Sequence, residues 1–152
     1  MFESESKVYN VFISHIDEDE EEYSIFIEKL SSAYDFEYHN SGILSEIGDK
    51  DIENQIEPAG VIIILSGLYN KYKSIIKKQL DIGRNLNKPV IIIRPYGMEN
   101  VPLELEETAD DIVGWNAPCV VNSIEENYME WFEDMISKFV IHLKFMSINH
   151  YF

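Results

Sequence analysis

Polar residues that could take part in chemistry stand directly after three apolar segments of the chain. They are Ser14 and His15, Ser66 and Gly67, and Arg94. A histidine can act as a general acid or base, and it is also a common structural hydrogen-bonding residue, so both interpretations stay open for His15. An arginine is always charged and presents a planar fork of donors that binds anions. No Ser–His–Asp or Cys–His order in the sequence suggests a nucleophilic triad.

The motifs of the common cofactor and metal sites are absent from the sequence. No glycine-rich loop of the dinucleotide or P-loop type follows a predicted strand. The pair Ser66-Gly67 alone indicates a turn rather than a phosphate cradle. Cys119 is the only cysteine, and nothing pairs with it at metal-ligand spacing. We therefore expect no metal and no tightly bound cofactor.

An acidic run occupies residues 17–22, shortly after the first apolar segment. Receiver domains also carry carboxylates there, which hold Mg²⁺, and they use a phospho-accepting Asp after the third strand. Here the third strand ends in Leu65-Ser66-Gly67, so both the nucleophile and a metal ligand are missing. The run is better explained as a solvated helix start whose negative charge complements the helix dipole.

Three short apolar segments, residues 8–13, 60–65 and 89–93, predict buried strands. Their apolarity is continuous rather than alternating, which is typical of a parallel sheet covered by helices on both faces. Weaker strand candidates are residues 36–39, 112–115 and 118–121. Helical spacing of apolar residues predicts helices at about residues 23–34, 72–86 and 124–143. Asn122 or Ser123 could cap the last of these helices.

Alternating strands and helices predict one doubly wound α/β domain over residues 1–152. We expect three layers, with a five-stranded parallel sheet in the flavodoxin-like order 2-1-3-4-5, helices on both faces and a long C-terminal helix. The core should span about residues 8–126, and the C-terminal helix and tail about residues 123–152. Ligands of such folds bind beyond the carboxyl ends of the strands. The chemistry should therefore lie in loops 14–19, 66–71 and 94–100.

Composition excludes several classes of function. The chain of 152 residues has 12 Lys and Arg against 28 Asp and Glu, a net charge of −16. Such a field repels phosphate backbones and anionic membranes, so we expect neither a nucleic-acid nor a membrane partner. The polar N-terminus and the lack of a long apolar run predict a cytoplasmic protein without a signal peptide.

Several short segments carry a resemblance to a known family: residues 11–15 with Asp17 and Asp19 close behind, residues 66–69, Gly83, and residues 87–92. Together they resemble Toll/interleukin-1-receptor (TIR) domains. The run 94–102, followed by residues 112–116, is more specific and is similar to a small prokaryotic TIR-like family. That family is grouped with the TIR-like proteins of Thoeris antiphage defence and has a flavodoxin-type fold. The resemblance covers about residues 8–126.

This resemblance implies cleavage of NAD⁺ at the nicotinamide–ribose bond, with a cyclic ADP-ribose-type product. TIR enzymes supply a Glu four residues before the small residue of the third helix, and here that position holds Gln79. A neutral amide cannot balance the positive charge that develops on the ribose. We therefore predict a signalling or defence module that binds a nucleotide or a protein partner, with weak or absent NADase activity. The alternative is an active enzyme with a displaced carboxylate, from Glu46, Asp49 or Asp51.

The sequence predicts one shared crevice for an NAD-like or ADP-ribose-like ligand. Its expected residues are Ser14, His15, Asp19, Ser66, Gly67, Tyr69, Gln79, Arg94, Tyr96 and Asn100. Arg94 is the expected anion anchor, although it could instead pair within the chain with Glu99 or Asp17. Gln79 stands at a core-facing helical position, so it must find a polar partner or open onto a cleft.

The C-terminal apolar stripe is longer than a small sheet can cover. It extends from Ile124 to Leu143, about 30 Å of helix, and Phe145 and Met146 follow it. Contiguous exposed apolar surface usually marks an interface. We predict that residues 139–152 mediate self-association, a homodimer in the leading case, or docking of a partner. The alternative is that this tail folds back over the helices of its own domain.

Overall fold

Five parallel strands form one sheet in the computed structural model, which describes residues 7–42, 48–97 and 100–150. The strands are β1 (Val8–Ile13), β2 (Glu37–Asn40), β3 (Val61–Leu65), β4 (Val90–Ile93) and β5 (Asp111–Val113). Their order across the sheet is β2-β1-β3-β4-β5, and each neighbouring pair is parallel. The predicted fold class and strand order are confirmed.

Helices cover both faces of the sheet and complete a three-layer α/β fold. They are α1 (Glu21–Ser31), α2 (Asp49–Ile56), α3 (Lys73–Asn85), α4 (Leu103–Glu106) and α5 (Ala117–His150). Helices α1 and α5 pack on one face of the sheet, where Phe26 and Leu30 join the core. Helices α2, α3 and α4 pack on the other face. The two layers explain why the strands are apolar on both sides.

The centre of the sheet is the most deeply buried part of the domain. Every residue of β3 and β4 is buried, as expected from their continuous apolar sequences. β5 is only half-buried along its length, because it lies at the edge. Because β1, β3 and β4 are parallel neighbours, their carboxyl ends lie along one rim of the sheet, below called the carboxyl edge.

The last helix begins earlier than the sequence analysis predicted. α5 starts at Ala117, so the predicted start near residue 123 is wrong and residues 118–121 are helical rather than a strand. The side chain of Asn116 accepts a hydrogen bond from the backbone N–H of Cys119 (3.2 Å) and so caps this end. Asn122 and Ser123 lie inside the helix. No helix among the described residues combines the length and apolarity needed to span a bilayer.

The predicted first helix was also too long. α1 ends at Ser31, and the backbone turns at Asp35, which has a positive φ of 53°. Tyr34 therefore lies outside the helix and is exposed rather than part of its apolar face.

Candidate functional site

Ser14 and Gln79 form a buried polar pair just below the carboxyl edge. Ser14 follows β1, and its hydroxyl donates to the side-chain carbonyl oxygen of Gln79 on α3. Both side chains are buried, at 3% and 5% exposure. Of the two alternatives left open for Gln79, the structure shows the internal partner. The amide at this position is therefore engaged by the protein itself.

His15 is held in place by its neighbours. Its Nδ1 lies 2.8 Å from the carbonyl oxygen of Ile13, so Nδ1 carries the proton and donates it to that carbonyl. The imidazole stacks on the ring of Tyr23, with centroids 4.1 Å apart. Burial lowers the pKa of His15 below its ordinary value, which keeps the ring neutral near pH 7. This arrangement fits the structural interpretation of His15.

The acidic run bends over the loop that follows β3. The carboxylate of Glu20 accepts hydrogen bonds from the ammonium of Lys71 and the hydroxyl of Tyr72. These bonds, the one from Lys71 first, hold the pKa of Glu20 below its usual value. These bonds connect the start of α1 to the start of α3. The sequence had predicted only a solvated helix start here.

Glu22 is the functional candidate that the sequence analysis missed. Its carboxylate lies over the backbone of Gly67, so close that a Cβ added there would be 2.1 Å from both carboxylate oxygens. A backbone hydrogen bond from Tyr96 favours the charged form, but burial outweighs it and raises the pKa of Glu22. Oε2 is buried, and no hydrogen bond reaches it from the described residues. Glu22 thus brings an incompletely satisfied carboxylate to the meeting point of three loops.

The signal that points to Glu22 is spatial. In the sequence it is one of six neighbouring acidic residues, and nothing in their order distinguishes it. Its contacts with Gly67 and Tyr96 depend on how the loops after β3 and β4 approach the start of α1. A glycine at residue 67 fits the contact, because any side chain there would displace the carboxylate.

An aromatic pair borders the fourth loop. The Tyr96 ring is 52% exposed and packs edge-on against Trp115, with centroids 5.0 Å apart. The indole N–H of Trp115 donates to the carbonyl oxygen of Arg94, which is half-buried at the end of β4. Phe26 of α1 supports Trp115 from the other side. The Tyr96 ring is thus packed against Trp115 and still partly exposed at the carboxyl edge.

The other predicted site residues are distributed unevenly. Ser66 is buried and donates to the carbonyl oxygen of Ile93 (2.7 Å), which joins the loops after β3 and β4. Tyr69 packs in the core, and its hydroxyl donates to Glu104 on α4, so it offers little surface to a ligand. Asp19 and Asn100 are exposed. The structure brings the first, third and fourth loops together, whereas the shared ligand crevice itself stays a prediction.

Two of the three carboxylates predicted as alternative catalytic groups, Asp49 and Asp51, lie in the first turn of α2. Asp49 begins α2 and forms an ion pair with Lys78 of α3 on the surface (3.0 Å). Asp51 is exposed in the first turn of the same helix. Glu46, and Glu99 as a partner for Arg94, lie outside the described residues.

Two open cavities lie away from the carboxyl edge. Cavities of about 510 and 400 Å³ adjoin each other at the opposite edge of the sheet, and Lys88 and Trp131 line both. Within residues 7–42, 48–97 and 100–150, no cluster of His, Cys, Asp and Glu could hold a metal ion.

Comparison with known proteins gives a family and a distant structural neighbour. The sequence model of a family described as Thoeris protein ThsB, TIR-like domain, matches residues 12–100. The flavodoxin-like domain of a Synechococcus sp. protein, solved by crystallography, is 10% identical, with a TM-score of 0.45. That match covers 91% of this chain and 98% of the other. No curated protein matches the chain.

Proposed function

Because the chain belongs to the family of Thoeris ThsB TIR-like domains, we propose that it is a signalling or defence module that binds an NAD-like or ADP-ribose-like nucleotide without robust cleavage. The ligand would lie at the carboxyl edge of the sheet, where folds of this topology bind their ligands.

The observation that carries this proposal is the pairing of Gln79 with Ser14. Cleavage of the nicotinamide–ribose bond develops positive charge on the ribose, which a carboxylate stabilises and an amide does not. By the resemblance, Gln79 stands where TIR enzymes carry their carboxylate. Its side chain is buried and already accepts a hydrogen bond from the Ser14 hydroxyl. In place of the carboxylate that TIR enzymes use for this step, this chain would therefore have a neutral amide whose oxygen is already hydrogen-bonded to Ser14.

Groups suited to hold a nucleotide remain at the same edge. The exposed face of Tyr96, braced by Trp115, offers a stacking surface for a base. The guanidinium of Arg94 can bind a phosphate through paired hydrogen bonds. Binding must overcome the net charge of −16, so we expect affinity to depend on these few contacts rather than on the general field.

A second candidate function is supported by Glu22. An active NAD⁺ glycohydrolase or cyclase needs a carboxylate near the ribose, and Glu22 has a buried oxygen without a hydrogen bond from the described residues. Its raised pKa is a common property of functional carboxylates. In this alternative Glu22, rather than Gln79, would stabilise the developing positive charge.

One set of assays separates the two candidates. The purified chain, Glu22→Gln and the matched control Glu21→Gln are incubated with NAD⁺, and released nicotinamide is measured. We expect no turnover above background for any of them, and we expect calorimetric titration to detect binding of ADP-ribose. Turnover that Glu22→Gln abolishes and Glu21→Gln retains would support the enzyme instead.

A gain-of-function variant tests the role assigned to Gln79. In Gln79→Glu the Ser14 hydroxyl can donate to a carboxylate, so we expect nicotinamide release to rise above that of the parent chain, while Gln79→Ala stays inactive. Failure of ADP-ribose and NAD⁺ to bind, together with inactivity of every variant, would overturn the nucleotide proposal and leave a protein partner as the ligand.

A further inference from the structure

Helix α5 continues well beyond the domain that it helps to cover. The last ring contacts that it makes with the domain, among the described residues, are the Tyr128 ring, packed edge-on against Tyr9, and the Trp131 ring, whose centroid lies 4.4 Å from the ammonium of Lys88. One to two turns further, Met135 and Lys138 still border the cavity beside Lys88. Every residue from 132 to 148 is exposed. The projecting segment, residues 132–150, is about 28 Å long at 1.5 Å per residue. The predicted alternative, in which the tail folds back on its own domain, is wrong for residues 139–148, and residues 151 and 152 lie outside the described residues.

The projecting segment is rich in exposed apolar side chains. One set, which starts at Met129 just before the segment, recurs at alternating spacings of three and four residues and is here called the seam: Met129, Phe132, Ile136, Phe139, Leu143 and Met146. This is the heptad spacing at which two helices interdigitate along their length. Phe139, at the middle of the seam, is 61% exposed. A helix with a continuous apolar seam is unfavourable in water unless a second surface covers it.

Two charges on the segment bear on the orientation of a second copy. Glu133 lies near its start and Lys144 lies further on, whereas Asp134 and Lys138 already form an ion pair within the helix (2.9 Å). Two copies side by side in the same direction would place Glu133 opposite Glu133 and Lys144 opposite Lys144. Two copies in opposite directions bring Glu133 of each close to Lys144 of the other. These two charges therefore favour the antiparallel orientation.

We propose that the seam of α5 is a homodimer interface, in which the projecting segment of a second copy of this chain packs antiparallel against the first. The seam fixes a register that pairs Phe132 with Leu143 and Ile136 with Phe139 of the second copy. In that register Lys144 lies within one helical turn of Glu133 of the second copy. The interface therefore combines a central apolar contact with two symmetry-related ion pairs at its flanks.

The oligomeric state of the full chain tests this interface. Sedimentation equilibrium is measured over a range of micromolar concentrations for the parent chain, Phe139→Glu and Ile141→Glu. Ile141 is equally exposed on the segment but lies on the opposite side from the seam. We expect a dimer for the parent chain and for Ile141→Glu. Phe139→Glu should raise the dissociation constant by at least about a hundredfold.

Charge exchange tests the antiparallel register. Lys144→Glu and Glu133→Lys should each weaken the dimer by about three- to tenfold, and the double variant should regain the parent affinity. Circular dichroism confirms that each variant keeps its helices. A parent chain that is monomeric throughout, a dimer that withstands Phe139→Glu, or single variants whose effects add rather than cancel would each overturn the proposal.

Discussion

Burial of the Glu22 carboxylate lowers the free energy of unfolding, and the rest of the domain must offset this loss. A buried carboxylate oxygen without a donor is uncommon in folded proteins and is a frequent property of functional sites. Burial raises the pKa of Glu22 above the ordinary value of 4.5. The folded state thus holds the proton more tightly than the unfolded state, so ionisation of Glu22 lowers stability as the pH rises through the folded pKa.

Replacement of this carboxylate should therefore stabilise the fold. We expect Glu22→Gln to raise the free energy of unfolding at pH 7 by about 0.5 kcal/mol, a modest gain because solvent partly screens the charge. Urea unfolding of Glu22→Gln and of the exposed control Glu21→Gln measures the difference. The gain should disappear below pH 4.5, where the carboxyl is protonated in both states. Destabilisation by Glu22→Gln at pH 7 would contradict this account.

Individual residues of the candidate site differed in how far the sequence could place them. Ser14, His15 and Ser66 follow apolar strands, so their position at the carboxyl edge could be predicted from parallel-sheet topology alone. Gln79 was identifiable as a polar residue in an apolar stripe, but its partner was not, because the contact joins β1 to α3. Glu22 could not be distinguished from its acidic neighbours without the fold.

At the scale of elements, a close contact joins α3 to the sheet. A Cβ added to Gly83 would lie 2.1 Å from Cδ1 of Ile62, whereas the next atom, Cγ1 of the same side chain, is 3.6 Å away. Ile62 is fully buried in β3 and has little room to move. The small residue at position 83 thus allows the helix to approach the strand.

Gly83→Ala should separate these two elements. We expect a loss of about 1–2 kcal/mol in unfolding free energy, because overpacking outweighs the higher helix propensity of alanine. Gly83→Ala combined with Ile62→Val, which lacks the clashing Cδ1, should recover part of this loss. Gly114→Ala is the control, since nothing lies within 4 Å of a Cβ at that position. Chemical denaturation of the parent chain and these three variants tests the contact, and an unchanged unfolding free energy for Gly83→Ala would refute it.

Strands and helices with a strong apolar pattern could be predicted from the sequence, whereas short helices and helix ends could not. β3 and β4 could be predicted because their apolar runs are continuous. Helix α2 has only Ile52 and Ile56 as fully buried apolar residues, and α4 is a single turn. Neither helix therefore shows a periodic pattern of apolar residues in the sequence. The start of α5 was misplaced because the cap at Asn116 precedes the apolar stripe by eight residues.

For the whole molecule, the projecting part of α5 should be dispensable for folding of the domain. We expect a chain ending at Lys138 to unfold with a free energy within about 0.5 kcal/mol of the full chain, when both are measured as monomers. The reason is that the residues removed are exposed as far as residue 148, where the description of side chains ends. Urea unfolding below the dimer dissociation constant makes the comparison. A loss of several kcal/mol would mean that the tail belongs to the core.

The hydrogen bond between Ser123 and Asp111 fixes α5 to the sheet, so a tilt of the helix at the sheet also moves its far end. Ser123 anchors the helix to β5, and Trp115, which touches both Arg94 and Tyr96, stands just before the helix begins. Beyond its last ring contact with the domain, at Trp131, the helix projects about 28 Å to His150, so each degree of tilt moves its far end by about 0.5 Å. A tilt of about five degrees that starts at the carboxyl edge would displace the far end by two to three ångströms, where two such helices meet.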